Sequence, residues 1–154
     1  MRTNIDNLTA EQISYFRAFG FIVLRGLITD VDLLRREAEA TIRDATGALF
    51  RTNIKGGGIE GHYIPATNEK TPCSLDLAIS VATIVESLLS RQAFLVHAQH
   101  ILYFGEAAFH NDTIWQDQKS VHAVAYLDEL TADNGALRVL PGTHRGDQSD
   151  LGKY

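Results

Sequence analysis

Near residue 93 this chain changes rhythm. Before it, apolar residues recur at three- and four-residue steps; after it they recur at every second position. In the run 94–104 the even positions are Phe94, Val96, Ala98, His100, Leu102 and Phe104. That face is apolar except for His100, as expected of a strand lying on a core. Residues 120 to 127 read as a second strand, apolar on both faces, which calls for cover on both sides. Asp133-Asn134-Gly135 supplies the positive-φ residues of a hairpin turn, and residues 136 to 140 return as a third strand. Helices first and strands after predict an α+β chain in one domain, 1–154, with 1–90 mainly helical and 91–144 sheet. A chain of 154 residues is long enough to bury a real core.

The helical part carries its own punctuation. Thr9-x-x-Gln12 is a capping box, Ile13, Phe16 and Phe19 follow at helical steps, and Gly20 is placed to end the helix. Residues 21 to 24 read as a short β run closed by Gly26. Thr29 and Asp30 can cap a second helix with the stripe Val31, Leu34, Ala38 and Ile42, ended by Gly47. Residues 51 to 73, rich in Gly, Pro and Thr, read as an irregular loop, either a plain surface loop or a lid over a site. Lys55-Gly56-Gly57-Gly58 within it lacks the Gly-Lys-Ser/Thr ending of a phosphate loop. Ser74 is then expected to cap a third helix, with Leu75, Ile79, Ala82, Val85 and Leu89 on one side.

Composition narrows the function classes. A net charge of −5 is spread along the chain with no basic stripe, which argues against nucleic acid as a partner. No apolar run approaches the roughly 20 residues of a membrane helix, and the polar start does not read as a secretory signal. Cys73 has no second cysteine to pair with, so a reducing cytoplasm is the expected location.

The chemistry gathers at Phe109-His110-Asn111-Asp112. A His and an Asp two residues apart on extended chain lie on one side and can reach one ion. Imidazole with carboxylate suits Fe(II), Mn(II) or Zn(II). The bare tripeptide is equally the mark of a surface pair or a structural hydrogen bond.

Five pieces taken together carry a family resemblance. They are Leu8-Thr9-x-Glu11-Gln12-x-x-x-Phe16; Gly20-Phe21-Ile22-Val23-Leu24; Phe109-His110-Asn111-Asp112; Leu127-Asp128; and the run from Asp133 to the corner Pro141-Gly142-Thr143-His144. Their order resembles the phytanoyl-CoA dioxygenase family of Fe(II)/2-oxoglutarate oxygenases, which also includes ectoine hydroxylase. The resemblance implies N-terminal helices packed on a double-stranded β-helix, a cupin-like jelly roll only partly present in 91–144. It implies Fe(II) as cofactor, with 2-oxoglutarate and O2 as co-substrates. His110 and Asp112 then stand at the first two iron-ligand positions, and Asp112 points to hydroxylation, since related halogenases carry a small residue there. His100 and Leu102 match the strand that touches 2-oxoglutarate, although a lone His on an apolar face is also an ordinary hydrogen-bonded core residue. Trp115 is either a pocket-lining residue facing substrate or a core Trp. His144 falls in the structural corner rather than among the ligands. His97 and Gln99 lie on the opposite strand face, and His62 and His122 have no assigned role.

The family's distal His and the Arg that pairs with 2-oxoglutarate have no match after the corner. The expectation is therefore an N-terminal portion of an oxygenase, inactive alone, acting on an unidentified small molecule when complete. Its uncovered sheet would favour self-association. A non-catalytic remnant of the same fold, serving as a binding or interaction module, is the alternative.

Overall fold

The computed structural model describes residues 7–47, 60–104, 109–110 and 119–145. Helix α1 (Ala10–Phe19) opens on the expected capping box. The Thr9 hydroxyl accepts from the Gln12 amide, and the Gln12 side chain accepts from the Thr9 amide. It closes on Gly20, whose φ of 82° is the left-handed conformation that glycine adopts without strain. Helix α2 (Val31–Thr46) is capped by Asp30, whose carboxylate accepts from the Leu33 amide, and it ends at Gly47. Leu34, Ala38 and Ile42 of its expected stripe are buried.

Helix α3 (Pro72–Leu89) starts earlier than the sequence reading has it. Its N-cap is Thr71, with Pro72 in the first turn, so Ser74 lies inside the helix and is not the cap. The inward face is Leu77, Ile84 and Leu88 rather than the expected stripe, and Ile79 is exposed. The helix is apolar nearly all round, so periodicity alone could not choose its inner side. By length and composition the 18 residues of α3 could also cross a membrane, contrary to the expectation that no apolar run comes near that length. Here it packs on α1 and α2, with Ile84 and Leu88 joining Leu8 in a core cluster flanked by Ile13, Phe16, Ile22, Leu24 and Leu27.

The sheet has two strands among the described residues. Strand β1 (Glu60–Pro65) pairs antiparallel with β2 (Gln99–Phe104), from Glu60 opposite Phe104 to Pro65 opposite Gln99. The Ala66 amide extends the ladder to the Ala98 carbonyl at 2.9 Å. Strand β1 falls inside the stretch expected to be loop; residues 51–59 of that stretch, including Lys55 and its glycines, lie outside the described residues. One sheet face carries Ile64, His100 and Leu102, and the sheet packs on α2. The other carries Tyr63 and Tyr103, diagonal neighbours whose rings meet edge-on at 6.0 Å. The α+β class holds.

Three expected strands are not ladder-paired in the described residues: 21 to 24, 120 to 127 and 136 to 140. A strand forms only where a second strand lies alongside to share the ladder, and among the described residues the sheet consists of two others. Ile22 and Leu24 still pack on the core from irregular chain. The expected strand from 94 begins only at Gln99, with Phe94 80% exposed. The turn at 132 to 135 does form, closed by the Ala136 amide on the Thr131 carbonyl. Within it only Gly135 takes positive φ, at 102°.

Candidate metal centre

His110 follows β2 in the chain and is exposed, immediately after a half-buried Phe109. The guanidinium of Arg138 sits 5.1 Å from the centroid of the Phe109 ring. That contact joins the His110 segment to the run that leads into the Pro-Gly corner. Asp112 and Trp115 lie outside the described residues. Among the described residues, no group of three His, Cys, Asp or Glu side chains is gathered as a metal would need.

His100 and Leu102 share the inner face of the sheet. His100 is 8% exposed, and its Nε2 has no hydrogen-bond partner. Burial pulls its pKa below the ordinary value by penalising the imidazolium, while the nearby Glu37 carboxylate pulls the other way and loses. The ring is thus held neutral, and an orphaned buried nitrogen typically costs about 1–3 kcal/mol.

Glu37 was not singled out by the sequence reading, and it organises this region. Its carboxylate accepts from the Cys73 amide at 2.8 Å, the Ser74 amide at 2.9 Å and the Ser74 hydroxyl at 2.7 Å. A carboxylate from α2 therefore caps α3, whose own N-cap side chain makes no bond to the helix's free amides. The reason lies in Thr71. Its hydroxyl is already occupied, accepting from the Thr67 amide and donating to the Thr67 carbonyl. Burial raises the Glu37 pKa, but the hydrogen bonds from Ser74 and Cys73 outweigh it and leave the group below its usual range. Burial and then the Glu37 charge push the Cys73 thiol up, which makes it a poor nucleophile. In the sequence, Thr71-Pro72 marked the true helix start; nothing marked the distant carboxylate.

Two further ties fix the flanking segments. Arg35 of α2 donates through Nε, at 2.9 Å, and through its terminal nitrogen to the Leu127 carbonyl, with Asp128 3.6 Å from Nε. At the corner, the Gly142 amide donates to the Phe19 carbonyl at 2.8 Å. His144 Nε2 donates to the Arg17 carbonyl at 3.2 Å, and Arg145 reaches the same oxygen. These are the carbonyls that the end of α1 leaves without helical partners. His144 is thus engaged in holding the corner to α1, in keeping with a structural role.

Compared with family models, the chain matches the one described as phytanoyl-CoA dioxygenase (PhyH) over residues 16–153. Neither the curated proteins nor the solved structures yield a match.

Proposed function

The chain belongs to the phytanoyl-CoA dioxygenase family, and on that premise we propose that it serves a non-haem Fe(II)/2-oxoglutarate-dependent hydroxylation of a small molecule. The family match carries this reading, because it spans His110, Asp112 and the whole run into the corner. An imidazole and a carboxylate are the donor types that hold Fe(II) while leaving positions open. Of that pair the described residues include His110, which is exposed and so accessible to an ion. In this reading His110 and Asp112 hold the metal, and residues 120 to 127 and 136 to 140 belong to a double-stranded β-helix around it. The chemistry that iron supplies with 2-oxoglutarate and O2 is hydroxylation of a C–H bond coupled to formation of succinate and CO2.

The chain's own contribution is positioning. His100, neutral and with a free Nε2, offers one hydrogen bond from a buried wall, with Leu102 beside it as apolar lining. In this reading the pair receives 2-oxoglutarate, and Trp115 lines the substrate side. A neutral imidazole suits that task because it can donate to a carboxylate and still survive burial when the site is empty of anion.

Titration with Mn(II), followed by EPR with and without 2-oxoglutarate, tests the proposal. Binding that tightens with 2-oxoglutarate, and weakens in His110→Ala and in Asp112→Ala, is the expected result. Unchanged binding in the double variant would remove both residues from the site. One observation favours a second reading, an interaction module of the same fold: Val124, Tyr126, Leu137 and Val139 are all exposed apolar residues. A chain that binds no Mn(II) yet associates through these residues would fit that reading.

A further inference from the structure

We propose that Arg138 is a positioning residue for His110, acting through the Phe109 ring. This inference rests on the metal reading of His110 and adds a residue to it. Arg138 is held between two fixed points. On one side is the turn closed by Thr131 and Asn134, where the Asn134 side chain accepts from the Thr131 amide and donates to the Glu129 carbonyl. On the other side is the corner, where the Gly142 amide and the His144 ring are anchored on the end of α1. The segment between them runs without a helix or a ladder, so its place is set by these anchors. From it the Arg138 guanidinium lies 5.1 Å from the Phe109 ring centroid. Phe109 is covalently next to His110, so fixing the ring restricts the backbone from which the imidazole projects.

Arginine suits this place for two physical reasons. Its planar, weakly hydrated cation stacks on an aromatic face better than an ammonium does. Its long stem also lets the cation reach the ring from a segment anchored elsewhere, so no Arg138 contact to His110 is needed for the effect. An exposed cation–π contact is worth enough to change a coupled equilibrium by about two- to five-fold. The expected consequence is a modest loosening of metal binding when either partner is removed, and no additional loosening when both are.

The experiment is a double-mutant cycle on the full chain, with Mn(II) affinity read by EPR and folding checked by thermal unfolding. Arg138→Gln and Phe109→Leu should each weaken Mn(II) binding about two- to five-fold, and the double variant no more than either alone. Arg138→Lys should recover part of the loss. His110→Ala serves as the reference for the site itself. If His110→Ala weakens binding while Arg138→Gln and Phe109→Leu leave it unchanged, the positioning role is refuted and the metal reading stands. Additive losses in the double variant would also refute it, because two residues acting through one contact cannot add. If His110→Ala has no effect either, the metal reading fails and takes this inference with it. Should Arg138→Gln prove unstable, Phe109→Leu with Arg138→Lys still decides between these outcomes.

Discussion

At Gly20 two requirements meet in one residue. Its φ of 82° closes α1, and a Cβ built there would press into the His144 ring well inside van der Waals contact. Gly20→Ala is therefore expected to destabilise the fold by more than the roughly 1–2 kcal/mol that the left-handed conformation alone costs an L-residue. Pairing it with His144→Ala should recover the steric part and leave the conformational part, which urea unfolding of the three variants can separate. His100 makes a prediction of another kind. Its pKa is lowered in the fold, so the unfolded chain takes up the proton first as pH falls. Its contribution is complete above the ordinary value of about 6.5 and is lost as pH drops from there toward the lower folded value. His100→Gln should flatten the dependence of the urea midpoint between about pH 7.5 and pH 5.5. An identical slope in both proteins would mean that the titration lies elsewhere. The alternation Ala98, His100, Leu102 placed His100 on an inner face correctly, because period two survives wherever a ladder exists to enforce it.

Among the elements, α1 and α2 were legible because their ends are written locally: Thr9 with Gln12, Asp30, Gly20 and Gly47 each act within one turn of the residue they cap. Helix α3 was less so, since its cap comes from Glu37, far away in sequence. The inner side of α3 was likewise decided by what packs on it, with Leu77 and Ile84 chosen over Ile79. Strand β1 was missed because Gly61 and Pro65 frame it with turn-forming residues, although Tyr63 and Ile64 have strand character. Glu37→Ala should cost about 1–2 kcal/mol, the range for a lost helix cap, whereas Glu37→Gln keeps an acceptor and should cost less. The lowered Glu37 pKa means that its stabilisation is present above the usual carboxylate value and fades as pH falls through the folded one. Both variants should therefore lose the acid-induced fall in stability attributable to this group, which denaturation series at neutral and acid pH will show. Of the candidate site, the residue types were legible and their assembly was not. His110 and the buried His100 could be named from pattern, but the Phe109–Arg138 contact depends on chain that no local rule places.

For the whole molecule, Val124, Tyr126, Leu137 and Val139 each leave an apolar side chain exposed. Val124→Lys with Leu137→Lys is expected to shift any concentration-dependent association toward monomer in sedimentation velocity, with little change in thermal stability. A monomer at all concentrations in the parent chain would show that these residues do not drive association. The corner bound to α1 has a further consequence, one of timing. His144 and the Arg17 carbonyl that it grips are separated by 127 positions. Translation adds about 5–20 residues each second, so a nascent α1 waits roughly 6–25 seconds with its last carbonyls facing water before the corner that covers them has been made. Closing a loop of that length costs about 4 kcal/mol of chain entropy, which favours contacts made late, after the intervening helices have already drawn the ends together. A late contact contributes to holding the native state rather than to reaching it. His144→Ala should accordingly speed unfolding and leave refolding nearly unaltered in stopped-flow chevrons. The corner would then be a clasp fastened last, which governs how long the finished molecule persists.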